Sequence, residues 1–176
     1  MSEQQELTDT ESVAVLAEHV KAAHRSFPTG VTVVTVASGG DVFGLAVNAF
    51  SSISLEPPLI MVAVKGTSST YPTLFRENQI AVNILSAEQA DMAGSFARSG
   101  GNKFADIDWH AGDNGSPLLD NASAFFELEI QYRIPAYTHT IFIGKVTRAG
   151  STGKPPLVYL DSKFFRSDQL VPIPRS

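Results

Sequence analysis

The segment Gly44-Leu45-Ala46-Val47-Asn48-Ala49-Phe50-Ser51-Ser52-Ile53-Ser54 carries the residue types that hold a flat ligand with polar edges. Ala46 and Ala49 are small enough to let a ring system approach the backbone. Asn48, Ser51, Ser52 and Ser54 offer short hydrogen-bonding side chains, and Phe50 and Ile53 give apolar anchoring. Pro57-Pro58 follows, where missing backbone donors end ladder pairing and turn the chain. The same composition also describes a strand running into a serine-rich turn. A second polar group, Thr67-Ser68-Ser69-Thr70, stands just before a predicted short helix. Free N–H groups at a helix start, with hydroxyls beside them, suit an anion; they equally make a plain helix cap.

Other chemistries lack their parts. There is no Gly-x-Gly-x-x-Gly after a strand, no Walker A sequence, no Gly-x-Ser-x-Gly elbow and no His-Glu-x-x-His. The chain has no cysteine, which removes disulfides, thiolate catalysis and cysteine-ligated clusters. His19, His24 and His110 are too scattered to suggest a metal site and read as solvated or packing residues. A net charge of -5 and a pI near 5.3 argue against a nucleic-acid partner. No run approaches the roughly 20 apolar residues that cross a bilayer, and the N-terminus lacks the pattern of a secretory signal. A cytoplasmic enzyme without membrane or nucleic-acid partners is the expectation.

The elements that must position these residues follow from the hydrophobic pattern. Glu3, Glu6, Asp9 and Glu11, with no basic residue among them, predict a flexible acidic tail over residues 1–11. Val13, Leu16, Ala17 and Val20 fall at helical spacing and predict an amphipathic helix over residues 12–24. Residues 31–37 form a β-branched strand, Ser38-Gly39-Gly40-Asp41 a hairpin turn, residues 42–50 the return strand and 59–65 the next. A short helix starts at Ser69 or Thr70 and ends by Asn78, and residues 79–85 form a strand. Ser86-Ala87-Glu88-Gln89 is a capping box that opens a helix to about Ala97. Residues 99–121, with the single Trp109, read as a long functional or covering loop.

Phe126, Leu128, Ile130 and Tyr132 alternate with Glu127, Glu129, Gln131 and Arg133, the clearest half-buried strand in the chain. Glu127 and Glu129 share one face, expected to be the solvent face and not a catalytic carboxylate pair. Residues 138–148 and 157–160 add two strands. About seven strands and three helices, without βαβ rhythm or repeats, predict one mainly β domain over residues 12–170 followed by a tail over 171–176. A closed or nearly closed antiparallel barrel with peripheral helices removes the exposed edges.

The order of several blocks resembles the flavin reductase family. The blocks are Phe27-Pro28-Thr29-Gly30-Val31-Thr32-Val33-Val34-Thr35, the 44–59 segment, and Ala81-Val82-Asn83-Ile84-Leu85-Ser86-Ala87-Glu88-Gln89. They continue with Lys103-Phe104-Ala105, Gly115-Ser116-Pro117-Leu118-Leu119, the stretch from His139 to Val146, and Pro156-Leu157-Val158-Tyr159-Leu160. Together they cover residues 25–165. The resemblance implies an antiparallel split β-barrel, usually a homodimer, that binds FMN or FAD. It implies an NAD(P)H:flavin oxidoreductase that hands reduced flavin to a separate oxygenase component. A split-barrel flavoprotein that keeps FMN as an electron carrier or sensor would share the fold, as would an enzyme using flavin on its own organic substrate.

Carried onto this chain, the resemblance places the flavin along Ala46, Val47, Asn48, Ala49, Phe50, Ser51 and Ser52. Many relatives have Thr where this chain has Ala46, so one hydroxyl contact is absent. The flavin phosphate falls to Ser68, Ser69 and Lys103, with Arg98 a second cation. Without a dinucleotide fingerprint, the nicotinamide of NADH or NADPH would stack directly over the flavin; Phe164 reads as a core or dimer contact or, as the C-terminal strand does in relatives, as a border of the nicotinamide pocket. His139 would orient it or steady negative charge on reduced flavin. The family commonly carries Gly-Asp before this histidine, where Tyr137-Thr138 stands here. No arginine cluster marks a 2′-phosphate site, which leans toward NADH.

Overall fold

The computed structural model describes residues 3–174, which open with the helix α1 (Glu3–Arg25). Helical backbone thus starts at Glu3, not at residue 12. After β1 (Thr29–Gly30), the strand β2 (Thr32–Ser38) is buried from Thr32 to Val36. Both of its faces are covered, which is why it reads as an unbroken β-branched run. The predicted return strand is divided into β3 (Asp41–Val47) and β4 (Phe50–Leu55). The break falls at Asn48-Ala49, where the Phe50 N–H donates to the Asn48 carbonyl at 2.9 Å.

β5 (Pro58–Lys65) leads to α2 (Tyr71–Arg76), β6 (Gln79–Ile84) and a 3-10 turn over Ala87–Gln89 that enters α3 (Ala90–Ala97). As the capping box requires, the Ser86 N–H donates to Gln89 Oε1 at 3.0 Å. The segment expected as one long loop contains a small hairpin, β7 (Trp109–Ala111) with β8 (Pro117–Leu119). Buried side chains pin this hairpin to the sheet. Thr35 Oγ1 donates to the Pro117 carbonyl at 2.6 Å, and Asn83 Oδ1 accepts from the Leu119 N–H at 2.9 Å. β9 (Ala124–Ala136) and β10 (His139–Ser151) form a long hairpin with two register shifts. A final hairpin, β11 (Leu157–Leu160) and β12 (Lys163–Arg166), completes the chain; β12 was not evident in the sequence pattern.

The main sheet has the order β3-β2-β6-β9-β10-β5-β4, with every pair antiparallel. Its two edge strands are therefore consecutive in sequence. They meet at Asn48-Ala49, where the Ala63 N–H of β5 donates to the Ala49 carbonyl at 3.0 Å. The sheet curls into a barrel whose split runs beside the segment singled out above. Val34, Val36, Leu45, Val47, Val62 and Phe142 fill the interior. A second core lies outside the barrel, where Val31, Val33, Phe96, Phe104, Leu119 and Leu157 join β2, α3 and the 99–121 segment.

The carboxylate of Glu127 corrects the expectation of a solvent face. It is fully buried, accepting from the Asn114 N–H at 2.7 Å and from Arg148 Nη1 at 3.1 Å. The turn at residues 112–116 folds over this end of β9 and leaves only Glu129 exposed. Gly112 permits that approach, since a Cβ there would lie 2.4 Å from Glu127 Oε1.

Candidate nucleotide site

Three clefts follow one another along β3. Val42 and Ala46 pack on the outer core while Leu45 and Val47 point into the barrel, so the even-numbered residues face outward. At the first cleft, about 190 Å³, Gly44 meets Ser69, Thr70, Lys103 and the Gly100-Gly101 turn. Gly44 has to be glycine here: a Cβ would lie 2.6 Å from the Phe96 ring. Thr70 caps α2, yet its hydroxyl donates to the Gly44 carbonyl at 3.1 Å and leaves the helix start open. Ser68 Oγ accepts from the Thr70 N–H at 3.3 Å, which places Ser68 behind Ser69 and off the cleft lining.

Lys103 Nζ donates to the Gly44 carbonyl at 3.1 Å and to the Phe96 carbonyl at 3.2 Å. An ammonium has three N–H donors, so one remains for a ligand. Burial of this cation holds its pKa below the ordinary lysine value. The donor set, one desolvated ammonium with a serine hydroxyl beside it, fits a phosphate group. Arg98 does not line this cleft.

The second cleft, about 230 Å³, is walled by Ala46 on β3 and by Ala93 and Ala97 on α3, with Tyr159 and Phe164 at its end. Three alanines facing one another leave a slot with the apolar character a ring needs. Val47 and Asn48 also line it, and Val47 offers mainly backbone, since its side chain is buried in the barrel. The third cleft, about 440 Å³ and the largest of these three, begins at Asn48 and Ala49 and runs between the end of α1 and the β11–β12 hairpin.

Three predicted ring contacts are placed differently. A continuous strand would point Phe50 outward with Ala46 and Asn48. The break at Asn48-Ala49 reverses the alternation, and Phe50 packs into the interior core, 5.8 Å from the Phe126 ring. Ser51 and Ser52 are exposed on β4, where the Ser51 hydroxyl donates to the Ser52 carbonyl at 3.1 Å. His139 is exposed at the start of β10, opposite Lys65 of β5, with its Nδ1 2.9 Å from Thr138 Oγ1. It lines none of the three clefts. β5 alone separates β10 from β4, so His139 stands about two strand spacings, ~10 Å, across the sheet from the split.

A basic group that sequence reading passed over stands at the third cleft: Lys21, His24 and Arg25 all line it. Their i, i+3, i+4 spacing on α1 was the available signal.

The fold is an antiparallel split barrel with a cleft lined by Ser69 and Lys103 and an alanine-walled slot side by side along β3. A model of the flavin reductase like domain matches residues 24–168. The chain is 35% identical over 165 residues to the NADH:FMN oxidoreductase of Rhodococcus erythropolis, covering 90% of this chain and 86% of that protein. It is 37% identical over 147 residues to the reductase component of flavin-dependent trigonelline monooxygenase from Acinetobacter baylyi, covering 83% of this chain and 47% of the relative. The chain thus spans about half the length of some curated relatives it matches. Among solved structures, an NADH:FAD oxidoreductase of Streptomyces globisporus, in complex with NAD and FAD fragments, superposes with a TM-score of 0.80 at 33% identity. That match covers 84% of this chain and 90% of the other. The chain belongs to the flavin reductase family.

Proposed function

We propose that this chain is an NAD(P)H:flavin oxidoreductase that reduces FMN or FAD and supplies the reduced flavin to a separate monooxygenase. The observation that carries the reading is the pairing of two clefts on β3. The Lys103 ammonium and Ser69 form a phosphate cradle beside an alanine-walled slot of ring character. Relatives that are an NADH:FMN oxidoreductase and the reductase component of a monooxygenase support the same chemistry and the same kind of partner. Bound flavin would supply the hydride acceptor, and the protein's part is position and charge. Ala46, Val47 and Asn48 hold the ring, Ala49 carries the same backbone on past the slot, and Phe50 shapes the turn from inside the barrel. Ser68 supports Ser69 at the phosphate. Ser51 and His139 belong to the adjoining outer face, where His139 would meet a reductant that reaches past the ring slot, while Ser52 stands opposite Ile60 on the other side of β4.

That outer face is apolar and bare within one chain. Register places Met61, Ile143 and Tyr132 in one row and Ala63, Ile141 and Ile134 in the next, across β5, β10 and β9. A second copy of the chain covers this face in the proposed homodimer. The test is NADH and NADPH consumption by the purified protein with and without added FMN, followed by nicotinamide absorbance. Turnover that depends on added FMN is expected. A yellow protein that consumes neither nucleotide would overturn the reductase reading and leave a flavin carrier.

A further inference from the structure

The turn that carries Ser69 is made of residues that do not hold themselves in place. Gly66-Thr67-Ser68-Ser69-Thr70 joins β5 to α2 with one glycine and four small hydroxyl side chains, and it has no large apolar group to anchor it in the core. Such a stretch has many backbone conformations of similar energy, and ordering it costs conformational entropy. Inside the turn, the Ser68 N–H donates to the Lys65 carbonyl at 3.0 Å and the Tyr71 N–H to the Ser68 carbonyl at 3.1 Å, which sets its local shape. Its place in the molecule is set from two sides. Toward β3, the Thr70 hydroxyl donates to the Gly44 carbonyl. Toward β10, the Gly66 N–H donates to the Thr138 carbonyl at 2.9 Å, and the Tyr71 hydroxyl lies 2.8 Å from Thr140 Oγ1.

The pair of hydroxyls stands out among these ties. Tyr71 is half-buried at the start of α2, its ring edge-on to Phe142 at 6.2 Å and tilted against Phe75 at 5.7 Å. Thr140 is 4% exposed, and Tyr71 is the one partner of its hydroxyl among the described residues. Packing alone would be satisfied by phenylalanine and valine at these positions. The hydroxyl bond adds direction, because it forms only at a narrow range of distance and angle. Thr138 and Thr140 flank His139, so the strand end that fixes the turn is also the one that carries the histidine. We propose that Tyr71 is a positioning residue for the flavin phosphate. Its bond to Thr140 fixes the turn against β10, so that Ser69 and Lys103 line one cleft before any ligand arrives. The phosphate then meets a turn already ordered by folding, and that preorganisation strengthens binding. Tyr71 does not line the cleft and acts through Ser69. The assignment rests on the phosphate cradle proposed above.

Riboflavin shares the ring and ribityl chain of FMN but has no phosphate, so it separates a role at the cradle from a general loosening of the barrel. The test measures dissociation constants of FMN and riboflavin by flavin fluorescence, together with steady-state kinetics. The proteins are the wild type, Tyr71→Phe, Thr140→Val and the double variant. Tyr71→Phe keeps the ring against Phe75 and Phe142, and Thr140→Val keeps the branched shape, so both are expected to fold. Each should bind FMN about fivefold more weakly, with riboflavin binding unchanged and kcat at saturating FMN within about twofold of wild type. The double variant should match the single ones, because all three lack the same bond. Thr140→Ser, which keeps a hydroxyl, should recover FMN affinity. Unchanged FMN binding, or an equal loss for FMN and riboflavin, would overturn the proposal, and so would losses that add in the double variant. A loss confined to FMN, in a protein that oxidises neither NADH nor NADPH, would uphold the positioning role and overturn the reductase reading.

Discussion

Lys103 gives its ammonium to two backbone carbonyls, which makes it both a brace and a sensor of what enters the cleft. Removing it as Lys103→Met takes away a charge-assisted hydrogen bond of about 1.5–3 kcal/mol. The KM for FMN should then rise roughly ten- to a hundredfold. Riboflavin, which lacks the phosphate, should be reduced with its KM unchanged; an equal loss for both flavins would take Lys103 off the phosphate. Burial lowers the Lys103 pKa, so the folded protein loses this proton before the unfolded chain does as pH rises. The sign follows: the buried charge costs stability near neutrality, and that cost fades between the lowered pKa and the ordinary value of about 10.4. Phosphate binding runs the other way. The KM for FMN should climb at a pH below that of an ordinary lysine, and a KM flat across that range would sink the assignment. His139 makes a separate prediction. His139→Ala should lower kcat for NADH about tenfold or more while FMN binding, read by flavin fluorescence, is retained; unaltered kinetics would remove it from the mechanism.

At the scale of elements, the site depends on how closely α3 approaches β3. Gly44→Ala would push a methyl group into the Phe96 ring, also 3.3 Å from Phe104, and overpacking of this kind costs about 1–3 kcal/mol. Because the Gly44 carbonyl also holds Lys103 and Thr70, the variant should lose FMN affinity along with melting temperature. Affinity kept at wild-type level would show that the cleft tolerates a moved helix. Glu127 does similar work at the far end of β9, fastening the 112–116 turn. Glu127→Ala should destabilise by about 3 kcal/mol in denaturant unfolding, and Glu127→Gln by less, because its amide oxygen can still accept from Asn114. The periodic elements were legible in the sequence because each repeats its own cause: the alternation of β9, the β-branched run of β2, the box at Ser86. Ala46, Asn48 and Lys103 line the two clefts beside β3 where the family resemblance puts a ring and a phosphate. Phe50 was not legible, since one break at Asn48-Ala49 inverts the alternation that reaches it, and no periodicity within the strand announces it. The burial of Glu127 depends on residues 112–116, and the cleft beside Lys21 and Arg25 on Tyr159 and Asp161. Both are set by chain segments far away in sequence, where local patterns carry no information.

For the whole molecule, the question is what covers the apolar surface that one chain leaves bare. Tyr132 is 60% and Ile134 45% exposed on the outer face of the barrel, next to Ile141 and Ile143 in register. On α1, Val13, Leu16 and Val20 are 65%, 61% and 44% exposed, a helical stripe left largely open among the described residues. Scattered apolar residues are ordinary on a surface, but a row on a sheet and a stripe on a helix are what an interface is made of. His139 lies at the end of the same face, one row beyond Ile141. Pairing two chains there would wall the histidine on its open side and exclude water from it. Sedimentation should therefore give a mass of twice the 18.9 kDa chain. Ile134→Glu would place an unpaired charge in the proposed interface, at a cost of several kcal/mol, and should shift the protein to monomer at micromolar concentration. If the interface also completes the site, the monomeric variant should keep its melting profile in dilute solution yet lose most of its NADH oxidation. A variant that stays dimeric would move the interface elsewhere, to the stripe on α1. A monomer with full activity would show that each barrel works alone and that the face serves only association.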